Sequence, residues 1–227
     1  TVTLTSILEN HRDEDLNIYI FQNDFTNESK EIISNLVKSY NKNLFIMNID
    51  SRYYQNVPTL RWSRETYYRL LYNEYLSRDI DRILYLDCDI IINKNLKDFY
   101  YQDLENFSLA ALVESENNID RTRLGLDVGK YYQAGVIIFN LNNCINILNY
   151  ERSIEIINNL GNRLQVVDQD VINVAFDEQI KEINKLFNNM GITNFSNKNL
   201  NRLLNKVDKT EIRNTYIFHY SSGKPWN

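Results

Sequence analysis

Two aspartates, Asp87 and Asp89, interrupt the otherwise apolar segment 82–93, RILYLDCDIIIN. Burying carboxylates among apolar side chains is unfavourable unless a cation or hydrogen-bond donors replace the lost hydration. In an extended chain, side chains two residues apart point the same way, so both carboxylates can address one point. Two converging oxygen ligands suit Mg²⁺ or Mn²⁺. The alternative is an exposed strand end where both side chains are solvated or bonded to backbone.

A second polar group follows an apolar strand near the C-terminus. Residues 216–219, YIFH, end in His219, one of only two histidines, and Gly223 and Lys224 follow. An imidazole can be a third metal ligand. Glycine lets backbone approach a phosphate closely, and lysine supplies a positive charge to it. The alternative is a half-buried histidine followed by a solvated lysine in a loose tail.

The elements that must position these residues are predicted from hydrophobic periodicity. Ser63 is the expected N-cap of the third helix. The expected helices cover residues 2–10, 27–41, 63–76, 142–160 and 168–176. The expected strands cover residues 16–21, 43–49, 82–93, 107–114, 134–141, 180–186 and 215–219.

This alternation of strands and helices predicts an α/β fold with a parallel or mixed sheet covered by helices on both faces. Ligands in such sheets bind beyond the carboxyl ends of the strands. Residues 87–89 lie at such an end, which is where a site is expected.

Composition excludes some classes of function. The chain of 227 residues fits one domain, expected to span 1–227. Its net charge is −5, and no basic block stands out, which argues against nucleic acid as a partner. No stretch approaches the ~20 apolar residues of a membrane span and no signal peptide is evident. Cys88 and Cys144 are expected to be free, buried thiols in a reducing cytosol, so we expect a cytoplasmic protein.

Several short motifs together resemble glycosyltransferase family 8, which includes lipopolysaccharide galactosyl- and glucosyltransferases and glycogenin. Each motif is weak alone, but they occur in the family's order and span nearly the whole chain. They are TYYRLLYNEYL at 66–76, Asp87-Cys88-Asp89, Ala134-Gly135-Val136, Asp168-Gln169-Asp170, and His219 to Trp226. The resemblance implies a GT-A (Rossmann-like) fold with a mixed, mostly parallel sheet.

The resemblance also implies retaining transfer of a sugar from a UDP-sugar, with Mn²⁺ (or Mg²⁺) bound to the diphosphate. By motif, Asp87, Asp89 and His219 are the expected metal ligands, and Asp87 also lies near the ribose. Other expected contacts to the donor are made by Arg69, Cys88, Glu114, Gln133, Ala134, Gly223 and Lys224.

The expected catalytic residues are Gln169 and Asp168, at the start of a predicted helix. In the family this glutamine lies near the anomeric centre. A neutral amide is a poor nucleophile, so we expect a same-face displacement in which Gln169 stabilises charge and the leaving phosphate oxygen deprotonates the acceptor. Pure helix capping is the alternative role for the Asp-Gln-Asp motif.

Some positions depart from the family pattern. Gln133 stands where many relatives have Asn, and Glu114 stands where Asp is expected. The resemblance implies UDP-glucose or UDP-galactose as the donor, with glucose slightly ahead. Each of the two longer side chains adds one methylene, which should narrow the sugar pocket and disfavour bulky N-acetyl groups. The loop from His219 to Lys224 is one residue shorter than usual. The sequence begins at what resembles the family's first helix, so the preceding strand of the family, which contacts uracil, is expected to be missing from it.

The acceptor is expected to be a glycan, lipid-linked or protein acceptor, and peripheral membrane association is left open. Two other functions remain as alternatives. A non-catalytic relative would bind a nucleotide-sugar or glycan without turnover. A phosphohydrolase of the haloacid dehalogenase type also uses D-x-D, but normally on its first strand and with Thr or Val at the position of Ile91.

Finally, residues 220–227 are predicted to close as a lid over the donor.

Overall fold

The computed structural model describes residues 1–191 and 209–221. The strands are β1 (Asn17–Gln22), β2 (Asn43–Asn48), β3 (Arg82–Leu86), β4 (Ile90–Ile92), β5 (Leu109–Ser115), β6 (Tyr131–Asn140), β7 (Ile180–Glu182) and β8 (Ile217–His219). The α-helices are α1 (Val2–Asn10), α2 (Asn27–Ser39), α3 (Tyr72–Tyr75), α4 (Lys97–Tyr100), α5 (Ile119–Leu124), α6 (Leu141–Cys144), α7 (Tyr150–Leu160), α8 (Val167–Ala175) and α9 (Lys209–Asn214). Short 3₁₀ helices cover Arg64–Leu71, Gly161–Arg163 and Lys185–Phe187.

The strands form three hydrogen-bonded sheets. The central sheet has the order β3-β6-β5-β7, and two-stranded sheets pair β1 with β2 and β4 with β8. The predicted mixed α/β fold is therefore confirmed. The balance of directions differs from the prediction, because among the described strands only β1–β2 and β5–β7 are parallel, while the other three pairings are antiparallel.

Strand β6 lies at the centre of the fold, and its side chains alternate between two apolar cores. Ile137 and Phe139 belong to the larger core, which α7, α8 and the 3₁₀ helix Arg64–Leu71 cover. Val136 and Ile138 face the smaller core, which contains β4, β8 and α4. Because both faces are buried, β6 is almost continuously apolar, and each of its buried aliphatic side chains contributes about 1.5–3 kcal/mol to folding.

Two helix predictions need correction. The single helix expected at 142–160 is two helices, α6 and α7, because the side chain of Asn149 accepts a hydrogen bond from the Arg152 amide and starts a new helix. The helix expected at 63–76 is a 3₁₀ helix followed by the single turn of α3. Ser63 occupies the N-cap position there, but its side chain makes no capping hydrogen bond.

Two predicted strands are longer than those in the structure. The segment 82–93 is not one strand, since a turn at Cys88 and Asp89 separates β3 from β4. The strand expected at 180–186 ends at Glu182. Within the described residues, every helix is too short or too polar to serve as a transmembrane segment.

Candidate active site

Asp87, Asp89 and His219 meet at the ends of three strands. Asp87 directly follows β3, Asp89 directly precedes β4, and His219 is the last residue of β8, paired in register with Ile90. His219 Nε2 lies 3.7 Å from Asp87 Oδ2 and 3.2 Å from Asp89 Oδ1. One ligand atom from each side chain lies within 4.8 Å of the others. The predicted convergence is found, although a turn rather than an extended chain produces it.

Gly135 on β6 forms the floor of this cluster. It lies opposite Asp87, whose amide donates to the Gly135 carbonyl at 2.9 Å. A Cβ at Gly135 would lie 2.3 Å from His219 Cε1 and 2.6 Å from Asp87 Oδ2. The space beside the ligand atoms therefore exists only because this residue has no side chain. Two carboxylates and an imidazole around such a space fit Mn²⁺ or Mg²⁺.

Arg69 links the cluster to helix α8. Its buried guanidinium pairs with Asp87 Oδ1 at 3.0 Å and with Asp168 Oδ2 at 2.8 Å. It also donates to the Ala134 carbonyl and stacks 4.3 Å from the centre of the Tyr85 ring. A buried cation is stable only when it is paired and hydrogen-bonded, and these groups provide both. Burial raises the pKa of Asp168 to about 6, and the charge of Arg69 partly opposes that shift.

Gln169 faces the same region from the first turn of α8. Its Oε1 accepts a hydrogen bond from the Ala134 amide at 2.9 Å, and its Nε2 donates to Glu114 Oε2 at 2.5 Å. The backbone of Ala134 thus contacts both Arg69 and Gln169, and the next residue, Gly135, supports the metal-ligand cluster. The structure brings together the predicted residues Arg69, Glu114, Ala134, Asp168 and Gln169.

Asp170 has a structural role that the sequence suggested only as helix capping. It is fully buried, and its Oδ2 accepts hydrogen bonds from the amides of Gln165 and Val166. It also pairs with Arg123 at 2.8 Å and accepts a hydrogen bond from the Tyr131 hydroxyl at 2.7 Å. Burial alone would raise its pKa, but these donors hold the pKa of Asp170 below its ordinary value. This network fixes the turn that presents Asp168 and Gln169.

The remaining predicted residues have different positions. Gln133 lies beside Gly135, whose amide donates to Gln133 Oε1 at 2.7 Å. Cys88 was expected to be buried, but it is an exposed free thiol because it lies in the turn after β3 rather than inside a strand. Gly223 and Lys224, and most of the predicted lid, lie outside the described residues.

Sequence reasoning missed several residues that support this site. Tyr85 donates its hydroxyl to Asp87 Oδ1 at 2.8 Å, and its position two residues before Asp87 on β3 was an available signal. Arg123 and Tyr131 hold Asp170 from 47 and 39 residues away, and Asn188 contacts His219 from 31 residues away. No local pattern could have identified these three.

An open cleft lies next to this region, along the C-terminal ends of β5 and β7. Its volume is about 470 Å³, and Glu114 is one of its lining residues. The rest of the lining combines apolar, polar and charged side chains: Leu112, Val113, Ser115, Glu116, Glu182, Ile183, Asn184 and Lys185.

Comparison with known sequences decides the family. Residues 1–227 match the family model described as Glycosyl transferase family 8. This chain belongs to glycosyltransferase family 8. The predicted family is therefore confirmed, and the haloacid dehalogenase-type phosphohydrolase is not retained as an alternative.

Individual glycosyltransferases are similar over most of this chain. A putative glycosyltransferase of Haemophilus influenzae is 30% identical over 193 residues, covering 82% of this chain and 58% of its own length. A lipopolysaccharide 1,3-galactosyltransferase of Salmonella typhimurium is 25% identical, covering all of this chain and 68% of its own length. The chain thus spans about three fifths to two thirds of the length of these relatives.

Solved structures show the same fold. A crystal structure of the galactosyltransferase LgtC, in complex with donor and acceptor sugar analogs, superimposes with a TM-score of 0.83 at 22% identity, covering all of this chain and 84% of that one. GlyE of Streptococcus pneumoniae superimposes with a TM-score of 0.69 at 21% identity, covering 98% of this chain and 52% of that one. The predicted GT-A fold is thus confirmed.

Proposed function

We propose that this family 8 protein transfers a hexose from a UDP-sugar to a glycan acceptor with retention of configuration, assisted by Mn²⁺ or Mg²⁺. The observation that carries the proposal is the convergence of Asp87, Asp89 and His219 within 4.8 Å over Gly135. The amide of the neighbouring residue, Ala134, donates a hydrogen bond to Gln169. Two adjacent residues of β6 therefore contact the metal-ligand cluster and the side-chain amide of Gln169.

Asp87, Asp89 and His219 would hold the cation, which when bound supplies positive charge to the diphosphate of the donor. The two oxygens of Asp87 have different surroundings. Oδ1 is occupied by Tyr85 and Arg69, while Oδ2 faces His219. We therefore assign Arg69 to holding Asp87 and Asp168 in place, in addition to the donor contact that the sequence suggested. Gly223 and Lys224 stay sequence-based predictions as contacts to the diphosphate.

Gln169 and Glu114 are assigned to the sugar end of the donor. Cleavage of the bond between the anomeric carbon and the phosphate oxygen develops positive charge on the sugar. Gln169 Oε1 accepts one hydrogen bond from protein, and a carbonyl oxygen has two lone pairs, so it can still face that charge. In a same-face displacement the acceptor oxygen bonds to the anomeric carbon, and its proton passes to the leaving phosphate oxygen.

The donor is proposed to be UDP-glucose or UDP-galactose. Two relatives support this choice, because their names specify a lipopolysaccharide 1,3-galactosyltransferase and a lipopolysaccharide 1,2-glucosyltransferase. The longer side chains of Gln133 and Glu114 should disfavour an N-acetyl group. Thermal shift with a panel of UDP-sugars and Mn²⁺ tests this pocket. Greater stabilisation by UDP-N-acetylglucosamine than by both hexose donors would contradict it.

The acceptor is proposed to enter through the cleft beside Glu114. Its lining side chains Glu116, Glu182, Asn184 and Lys185 offer the hydrogen-bonding groups that sugar hydroxyls need. The relatives named for lipopolysaccharide support a glycan that is attached to lipid, with peripheral contact to a membrane. We keep the cytoplasm as the expected compartment because Cys88 and Cys144 are free thiols.

Activity is tested by incubating the protein with Mn²⁺ and radiolabelled UDP-glucose or UDP-galactose. Release of UDP with slow hydrolysis or transfer supports an enzyme, and a product with the anomeric configuration of the donor supports retention. Donor binding without any turnover would instead indicate a non-catalytic nucleotide-sugar-binding protein.

A further inference from the structure

A chain of three hydrogen bonds runs from the backbone of Gly135 to the ring of His219. The Gly135 amide donates to Gln133 Oε1 at 2.7 Å. Asn188 Nδ2 donates to the same Gln133 oxygen at 2.7 Å, and Asn188 Oδ1 lies 2.8 Å from His219 Nδ1. Asn188 is completely buried and His219 is 1% exposed, so these groups are removed from bulk water.

The direction of each bond in this chain follows from its first member. A backbone amide can only donate, so the atom of Gln133 next to Gly135 must be the carbonyl oxygen. That oxygen can only accept, so Asn188 must present its NH₂ group to Gln133. The oxygen of Asn188 then faces His219, and only a protonated Nδ1 can bond to it.

The consequence for His219 is a fixed tautomer. With the proton on Nδ1, the Nε2 atom of the neutral ring carries a lone pair. Nε2 is the atom that faces Asp89 Oδ1 at 3.2 Å and Asp87 Oδ2 at 3.7 Å. A ring nitrogen that binds a metal ion is commonly oriented by a hydrogen bond at the opposite nitrogen.

We propose that Asn188, held by Gln133, is a positioning residue that fixes the ring plane and the Nδ1–H tautomer of His219 for binding the cation. This inference rests on the proposed metal-dependent function. It gives the longer side chain of Gln133 a role in orienting His219, besides the sugar contact expected from the sequence.

The backbone around Asn188 is built to keep it in place. The amide of Asn189 donates to the Ile217 carbonyl at 2.9 Å, and the His219 amide donates to the Asn189 carbonyl at 3.1 Å. The segment therefore runs alongside β8, which ends in His219. The adjacent Asn189 is also buried, but its side chain bonds to Thr215 Oγ1 at 3.0 Å rather than to His219.

These neighbours provide a matched pair of variants, Asn188→Leu and Asn189→Leu. Each removes one buried amide of the same size from the same segment. Titration with Mn²⁺, followed by electron paramagnetic resonance, should show affinity about 10- to 100-fold weaker for Asn188→Leu than for wild type. Asn189→Leu should bind Mn²⁺ as wild type does. Equal Mn²⁺ affinity in all three proteins would overturn the proposal.

The tautomer can be measured in wild type without any substitution. The chain has only two histidines, so ¹⁵N NMR of the ring nitrogens with Mg²⁺ as a diamagnetic ion is readily assigned. The proposal requires the His219 proton on Nδ1, and a proton on Nε2 alone would refute it even if Asn188→Leu failed to fold. Absence of Mn²⁺ binding by wild type would contradict the metal dependence instead, while the ring proton would still decide the role of Asn188.

Discussion

The Tyr85 hydroxyl donates a hydrogen bond to Asp87 Oδ1 at 2.8 Å, while the other oxygen of Asp87 faces His219. Arg69 pairs with the same Oδ1 at 3.0 Å. The carboxylate is thus fixed through one oxygen and presented through the other. This arrangement lets Asp87, just after the end of β3, serve as a rigid ligand.

Tyr85→Phe should weaken Mn²⁺ binding with little loss of folded structure. A hydrogen bond to a charged group contributes about 1.5–3 kcal/mol, so a loss of roughly tenfold or more in affinity is expected. Tyr100→Phe is the control, because it removes a tyrosine hydroxyl that donates to the Arg82 carbonyl away from the site. Equal Mn²⁺ affinity of the two variants would show that Tyr85 does not position Asp87.

Gly135→Ala should damage the metal-ligand cluster directly. The new methyl group would lie 2.3 Å from His219 Cε1, so either the ring or β6 must move. Overpacking of this kind typically costs about 1–3 kcal/mol of stability, and here it should also reduce Mn²⁺ affinity. At Gly191 the nearest atom among the described residues would be 3.6 Å away, so Gly191→Ala should leave Mn²⁺ affinity unchanged. Wild-type affinity in Gly135→Ala would contradict the geometry.

The pair formed by Gln169 and Glu114 can be tested by exchanging its chemistry. In Gln169→Glu two carboxylates would replace a 2.5 Å hydrogen bond, so turnover should fall. Adding Glu114→Gln restores a donor opposite the new carboxylate, and the double variant should recover part of the lost kcat. No recovery in the double variant would indicate that the negative charge introduced at position 169, not the lost bond to Glu114, limits turnover.

Asp168 and Asp170 should affect stability with opposite dependence on pH. Because burial raises the pKa of Asp168 to about 6, its protonated form favours the folded state, and that stability is lost as pH rises from about 4 to 7. A shift of about two pKa units corresponds to roughly 3 kcal/mol. The free energy of unfolding of wild type relative to Asp168→Asn should therefore decrease over this range.

Asp170 provides the internal comparison for that measurement. Its pKa is lowered by Arg123 and Tyr131 despite burial, so its contribution is present above the unfolded pKa and is lost as pH falls below about 4. Denaturant unfolding of wild type, Asp168→Asn and Asp170→Asn across pH 3 to 7 measures both. The same pH dependence in the two variants would show that the environments of these residues are not as described.

The sequence predicted the parts of this molecule that are determined locally. The apolar runs of β3, β5 and β6 and the positions of Asp87, Asp89 and His219 were recognisable, because strand periodicity and buried carboxylates leave a local signature. The helix Val2–Asn10 was also predicted with the correct ends.

Features that depend on distant contacts were not predictable. The antiparallel direction of β6 between β3 and β5 is a property of chain topology, which periodicity does not encode. Asn188 is one of many asparagines, and only the fold places it against His219. Similarly, the sequence predicted Arg69 as a donor contact, but only the fold shows that it also pairs with Asp168 on α8.

We propose that UDP-hexose turnover requires a cation bound by Asp87, Asp89 and His219. The direct measurement is the rate of UDP release from UDP-glucose or UDP-galactose with Mn²⁺ and with EDTA, for wild type and Asp89→Asn. Asp98→Asn, on helix α4, is the matched control. We predict that EDTA abolishes turnover and that Asp89→Asn lowers kcat by about two orders of magnitude or more, with Asp98→Asn unaffected. Full activity of wild type in EDTA would contradict the proposed metal dependence.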